Sequence, residues 1–213
     1  MSDATRVRTR MIGCIAAMLA IPFIASPALA QDARSNTRGL LLGLNASGAS
    51  ARVEDGQRES GGGAGLTIGW GVSRQVTIFL RSDVTKVDIT DPDIEGNYSV
   101  GIADIGVRIS FRDAGDRFIP FIVAAFSAQR AAAEVFFTPT VSSDIEISGP
   151  GFTIGGGFSH FFVEQLALDV SVLLMAGRFN QIRIGSLTAD IGDLDSQATR
   201  LNVGLAWYPI TQR

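Results

Sequence analysis

The sequence predicts an all-β fold, an eight-stranded antiparallel up-and-down transmembrane β-barrel. Apolar residues recur with period two in most of the eight segments that follow residue 38, which is the pattern of strands. Beyond the N-terminal segment, the longest apolar run is Phe118–Phe126, which is too short for a membrane-spanning helix. Short and long links alternate between the eight segments, as in a barrel whose strands run up and down.

The first 30 residues predict a cleaved secretory signal peptide, which leaves residues 31–213 as the barrel domain. The segment has an arginine-rich start, an apolar run (11–25) and a small-residue cleavage site that ends at Ala30. Cys14 is the one cysteine of the chain and leaves with this segment. The exported chain therefore has no disulfide and no multi-cysteine metal site.

The first four segments each have one apolar face. The alternation is less regular in the first, 39–53, where Leu40, Leu42, Leu44 and Ala46 lie opposite Leu41, Gly43, Asn45 and Ser47. The apolar faces of the next three are Ala64, Leu66, Ile68, Trp70 and Val72; Val76, Ile78, Leu80 and Val84; and Ala103, Ile105, Val107, Ile109 and Phe111. The opposite faces consist mainly of Gly, Ser, Thr, Asp and Arg. This alternation predicts strands that present an apolar and a polar side.

The last four segments complete the set of eight. The fifth, 117–130, is apolar on both faces, so its sides are not assigned. The apolar faces of the others are Phe152, Ile154, Phe158 and Phe162; Leu166, Leu168, Val170, Val172 and Leu174; and Leu201, Val203, Leu205 and Trp207. Each segment is long enough for a tilted transmembrane strand, which needs about 9–11 residues.

The links between the segments predict how the strands are arranged. The short links are 73–74, 112–116 and 163–165, and the long links are 54–62, 88–97, 133–147 and 181–197. Because the two kinds alternate, all the long links emerge at one end, and both chain ends lie at the other. No segment remains for a second domain.

The composition of the two faces distinguishes a membrane barrel from a soluble one. A soluble barrel points its large apolar residues inward, whereas a transmembrane barrel points them at lipid. Here the polar faces are rich in glycine and would make a poor water-exposed surface, so we expect the apolar faces outside. We expect an interfacial aromatic girdle near the short-link end, formed by Trp70, Phe111, Phe162, Trp207 and Tyr208.

The inward faces collect six charged residues. These are Arg81, Asp83, Asp104, Arg108, Asp169 and Arg200. Charges in so narrow an interior have to pair, since an unpaired buried charge is very costly. An eight-stranded barrel is just wide enough for side chains to fill it. We therefore expect an ion-pair network that plugs the lumen; the alternative is a narrow or gated polar pathway.

The sequence has few other candidates for chemistry, and we expect no enzyme, no cofactor and no metal. His160 is the one histidine, and its neighbour Ser159 points to the opposite face of the strand. The run from Asp91 to Gly96 begins like an EF-hand loop, but position twelve is Ile102 rather than Glu, so the motif is incomplete. We expect these acidic residues to be solvated loop charges; the alternative is weak binding of a divalent cation. A loop patch of Val135, Phe136 and Phe137 either packs on the barrel mouth or contacts a partner or a hydrophobic ligand.

From about residue 39 to 208 the chain resembles the eight-stranded outer-membrane protein beta-barrel domain family, which includes the OmpA transmembrane domain, OmpX and OmpW. The resemblance rests on Gly61-Gly62-Gly63-Ala64-Gly65-Leu66, Arg117-Phe118-Ile119-Pro120-Phe121, Gly149-Pro150-Gly151-Phe152 and Leu201-Asn202-Val203-Gly204-Leu205-Ala206-Trp207-Tyr208. One departure is that residues 209–213 follow the last strand's aromatic residues.

This resemblance implies a place in the outer membrane of a Gram-negative cell. It implies contacts with outer-membrane lipid and lipopolysaccharide, assembly by the barrel-assembly machinery, and a monomer. The charge balance of 18 basic and 21 acidic residues argues against nucleic acid as a partner. We expect a small non-enzymatic outer-membrane protein with a structural or surface-interaction role. The alternative is a transporter of small hydrophobic or polar solutes, as suggested for OmpW-like proteins.

Overall fold

The computed structural model describes residues 37–53, 59–88, 97–111, 117–138, 141–185 and 187–211, with only the backbone for a few residues near strand ends. The eight strands are β1 (Gly39–Val53), β2 (Glu59–Gly71), β3 (Val76–Asp88), β4 (Asn97–Ser110), β5 (Phe118–Thr138), β6 (Val141–Val163), β7 (Leu166–Ile184) and β8 (Leu187–Thr211). In this part of the chain no helix is long and apolar enough to cross a membrane. The predicted signal peptide lies outside the described residues.

The strands form a closed antiparallel barrel in chain order, which confirms the predicted topology. Each strand pairs with its neighbours along the chain, and β1 also pairs with β8. Leu44, for example, lies opposite Leu66 on one side and Leu205 on the other. Closure satisfies the backbone N–H and C=O groups within the wall, which lipid cannot do.

The outer wall is apolar, as predicted for a transmembrane barrel. Large hydrophobic side chains are exposed on every strand, and the exposed fraction is 74% at Phe126 and 64% at Leu66. A soluble monomer rarely exposes an apolar surface that encircles the whole molecule. The exposed fractions therefore describe a wall that faces lipid. In β5 the outward residues include Ile122 and Phe126, and the inward ones include Phe121 and Val123.

The links from β5 to β6 and from β7 to β8 are shorter than the long loops predicted at 133–147 and 181–197. β6 begins three residues after β5 ends, and β8 begins three residues after β7 ends. Gly185, with a φ of 58°, supplies the left-handed conformation that such a tight turn requires. The apolar alternation fades where strands leave lipid, but the backbone pairing continues there. We call this the hairpin end, and the opposite one the short-turn end.

Candidate functional site

The centre of the barrel holds an ion-paired group that we call the distal cluster: Arg200, Asp83 and Asp104. Arg200 is fully buried. Its Nη1 donates to Asp83 Oδ2 at 2.6 Å, and its Nη2 donates to Asp104 Oδ2 at 2.8 Å. Both carboxylates are as buried as the guanidinium. One arginine thus joins β8 to β3 and β4 across the lumen.

Uncharged side chains complete the distal cluster. Ser127 Oγ donates to Asp104 Oδ1 at 2.6 Å. Thr153 Oγ1 lies 2.7 Å from the Ser127 hydroxyl and accepts from Arg200 Nη2 at 3.1 Å. On the other side, Asn45 Nδ2 donates to an oxygen of Asp83 at 3.1 Å. None of these three residues was predicted to belong to the site, although Asn45 lies on the polar face predicted for the first segment.

A second group, the proximal cluster, lies nearer the short-turn end and consists of Arg108, Asp169 and Ser159. Arg108 Nη1 donates to Asp169 Oδ2 at 2.6 Å, and its Nη2 donates to the Ser159 hydroxyl. The guanidinium also lies over the ring of Phe121, 3.7 Å from its centroid, in a cation–π contact. The arginine is therefore held on three sides.

The Ser159 contact bears on the question of catalysis. Ser159 is fully buried inside the barrel, and its hydroxyl accepts a hydrogen bond from Arg108. His160 lies on the opposite face of β6, where its ring meets Phe162 edge-on at 5.6 Å. The two side chains diverge because successive strand residues point to opposite faces. They do not form a nucleophile–base pair.

Arg81 lies between the two clusters. Its Nε donates to Thr67 Oγ1 at 3.2 Å, and its guanidinium lies 5.3 Å from the centroid of the Phe79 ring. Arg81 lines a cavity of about 30 Å³ together with Asp169 and Asn202. A water molecule needs roughly 10–15 Å³ of such space, so this cavity has room for about two.

Three apolar layers alternate with these polar groups. The first, at the short-turn end, is Leu41, Ile119, Phe161, Ala167, Ala206 and Tyr208. The second is Phe79, Phe121, Val123, Ala125 and Leu173. Its Phe121 contacts Arg108 of the proximal cluster, and its Leu173 lies opposite Arg200 in the sheet. The third, towards the hairpin end, is Ile102, Met175 and Ala198. Side chains therefore occupy most of the described interior, apart from the small cavity beside Arg81.

Four of the five residues expected in the aromatic girdle lie on the outer surface. Trp70, Phe111, Phe162 and Trp207 are each about half exposed, at the short-turn ends of their strands. The prediction is wrong for Tyr208, because its side chain is fully buried inside the barrel. Its ring stacks on that of Phe161, with centroids 5.8 Å apart. Since Trp207 points outward, period two sends Tyr208 into the lumen.

Phe118 belongs to the girdle but was not predicted. It lies at the start of β5, is half exposed, and stacks on Phe158 with ring centroids 4.8 Å apart. It was missed because β5 is apolar on both faces.

The predicted loop residues are placed only in part. The backbone of Val135, Phe136 and Phe137 lies in β5 rather than at a loop tip, and their side chains lie outside the description. The acidic run from Asp91 to Gly96 also lies outside the described residues. Among the residues that are described, no group of three or more His, Cys, Asp or Glu side chains could hold a metal ion.

Solved structures of other proteins share this architecture at low sequence identity. No protein-family model and no curated protein sequence matches the chain. Neisserial surface protein A superposes with a TM-score of 0.60 at 14% identity, over 80% of this chain and 97% of that one. The outer membrane protein OprG from Pseudomonas aeruginosa superposes with a TM-score of 0.53 at 11% identity, over 81% and 97%. This chain has the fold of an outer-membrane β-barrel.

A third structure, Ail, the attachment invasion locus protein of Yersinia pestis, has a TM-score of 0.51 at 9% identity, over 80% of this chain and 99% of that one. At such identities the likeness concerns the outer-membrane barrel fold alone. Nearly the whole length of each of these three proteins is covered, so the shared fold is the complete barrel.

Proposed function

We propose that the chain is a non-enzymatic protein of the Gram-negative outer membrane whose barrel is closed to solutes and serves a structural or surface-interaction role. The observation that carries this proposal is Arg200, fully buried between Asp83 and Asp104. Apolar layers lie on both sides of this ion pair. An open pathway would have to break the pairing and displace both layers.

The long strands support a role at the surface. β5 to β8 have 21, 23, 19 and 25 residues, whereas β1 to β4 have 13 to 15. About 9–11 residues suffice to cross the hydrocarbon core. The remaining residues of these four strands therefore extend beyond the membrane as paired hairpins, which are available to neighbours at the cell surface.

The absence of a nucleophile–base pair at Ser159 and His160 supports a non-enzymatic role. The Ser159 hydroxyl is engaged by Arg108 inside the barrel. His160 is on the lipid side, near the turn that joins β6 to β7. Neither group faces a site where a substrate could approach both.

Conductance tests the closed lumen. The refolded full-length chain is inserted into a planar bilayer, with a sixteen-stranded porin as the positive control. We expect no steady current of porin size, because an eight-stranded interior is filled by its own side chains. A steady open-channel current would contradict the closed lumen and favour the alternative of a narrow solute pathway, which uptake into vesicles would then define.

A further inference from the structure

The outer surface carries a localised positive charge just beyond the apolar band. Among the side chains that the structure describes, none of the outward residues within the band is charged. Towards the hairpin end, Arg130, Glu146 and Arg183 lie on the neighbouring strands β5, β6 and β7. We call these three residues the arginine face.

One carboxylate lies between the two arginines of this face. Glu146 Oε2 is 2.6 Å from Arg130 Nη2 and 4.0 Å from Arg183 Nη1. The arginine side chains are 62% and 57% exposed, whereas that of Glu146 is 13% exposed. The face therefore has a net charge of +1. Each guanidinium has five N–H donors, and the ion pairs with Glu146 involve one nitrogen of each arginine.

The height of the face matches the border of the hydrocarbon layer. Phe118 and Arg130 are both outward residues of β5 and lie twelve positions apart. A strand that rises ~3.3 Å per residue and is tilted by ~35–45° places them ~28–32 Å apart along the membrane normal. The pair Phe126 and Phe152, in edge contact at 5.9 Å, occupies the last large apolar level below Arg130. Arg130 is thus level with lipid headgroups.

The face also extends outward from that border. Arg183 lies opposite Glu146, and Glu146 lies two residues beyond Ser148, the partner of Arg130. It therefore spans several ångströms of the headgroup layer rather than one level. This extent suits a lipid whose headgroup is thick and carries phosphates on sugars.

We propose that the arginine face binds a phosphate group of lipopolysaccharide in the outer leaflet. The planar guanidinium forms paired hydrogen bonds to phosphate. Glu146 lies between the two guanidinium groups, in contact with Arg130 and 4.0 Å from Arg183. The proposal rests on the outer-membrane location proposed above. At the hairpin end, which is the external side in such barrels, lipopolysaccharide is the phosphorylated lipid of that leaflet.

The arginine face differs in net charge from the group around Arg178 on the same strand as Arg183. Arg178 lies between two carboxylates, Asp193 at 2.9 Å and Asp195 at 3.2 Å, so that group has a net charge of −1. On the opposite wall, Lys86 of β3 is an exposed outward cation towards the same end. It provides a control that removes one positive charge elsewhere.

The test measures lipid binding by the full-length chain refolded in detergent micelles. Calorimetric titration compares lipid A that carries both phosphates with the same lipid after dephosphorylation, and with phosphatidylglycerol. We expect phosphorylated lipid A to bind tightest. The double variant Arg130→Gln/Arg183→Gln should weaken that binding about tenfold or more, and Lys86→Gln by less than about twofold. A magnesium chelator should leave the affinity unchanged.

Several results would overturn the proposal. Equal binding of dephosphorylated lipid A, or of phosphatidylglycerol, would show that no lipopolysaccharide phosphate is recognised. An equal effect of Lys86→Gln would indicate attraction by overall charge, and loss of binding on chelation would indicate a cation bridge. Heat-modifiable gel migration checks that each variant folds, and the wild-type lipid series stands without any variant. A barrel that neither conducts nor binds lipid A contradicts this inference alone.

Discussion

Arg200 lies fully buried and joins two carboxylates that belong to different strands. Replacing it with methionine fills a similar space but leaves Asp83 and Asp104 without their shared cation. We expect Arg200→Met to lower the free energy of unfolding by about 3–5 kcal/mol, as for other broken buried ion pairs. Urea titration of the protein in lipid vesicles measures this.

A matched control separates burial from ion pairing itself. Arg178 also bridges two carboxylates, but its side chain is 60% exposed. Arg178→Met should change the free energy of unfolding by no more than about 1 kcal/mol, because solvent already screens that pair. Removing one of the two carboxylate charges as well, in Arg200→Met/Asp83→Asn, restores a neutral interior and should recover part of the loss. If Arg200→Met and Arg178→Met lowered the free energy of unfolding equally, burial would not be what makes the Arg200 ion pairs important for stability.

The pairing of individual charges shows what the sequence could predict at this scale. Six charged residues were expected inside, because a charge on the lipid side is very costly. The sequence did not predict which carboxylate pairs with which arginine. Arg200 is 117 positions from Asp83 and 96 from Asp104, so their meeting depends on strand stagger around the closed barrel. Local alternation contains no information about that stagger.

β5 is the strand whose sides the sequence could not assign. Its outward Ile122 and Phe126 face lipid, while its inward Phe121 and Val123 belong to the central apolar layer. Both surroundings favour apolar side chains, so the alternation disappears from the sequence although the strand is regular. The same ambiguity concealed Phe118, whereas strands with a polar inner face were placed correctly.

β2 has the opposite composition, with glycine at most of its inward positions. A Cβ added at Gly65 would lie 1.8 Å from Asp83 Oδ1 and 2.9 Å from Asn45 Nδ2. That carboxylate is held by Arg200, so it has little freedom to move. We expect Gly65→Ala to lower the free energy of unfolding by about 1–3 kcal/mol through overpacking.

Gly62, on the same strand, is the control for that substitution. A Cβ there meets nothing within 4 Å. Gly62→Ala should therefore leave the free energy of unfolding within about 0.5 kcal/mol of the wild type. Urea titration in vesicles measures both variants side by side. If Gly65→Ala were equally neutral, the inward glycines would not be needed to accommodate the charged cluster.

The whole molecule combines a neutral interior with an apolar wall of limited height. Three arginines and three aspartates inside balance one another, so the interior adds no net charge to the membrane span. The wall is bounded by half-exposed aromatic residues at the short-turn end and by the arginine face towards the hairpin end. These two borders define how deeply the barrel sits in a bilayer, because aromatic and basic side chains both favour the interface.

Tryptophan fluorescence tests this depth. The chain has two tryptophans, Trp70 and Trp207, and both lie outward at the short-turn border. We expect lipids brominated near the headgroup to quench their emission more strongly than lipids brominated near the chain end. Trp70→Phe and Trp207→Phe each leave one reporter and should show the same order. Stronger quenching by the deeply brominated lipid would mean that the short-turn ends lie inside the hydrocarbon layer, and the barrel's borders would then have to shift towards the hairpins.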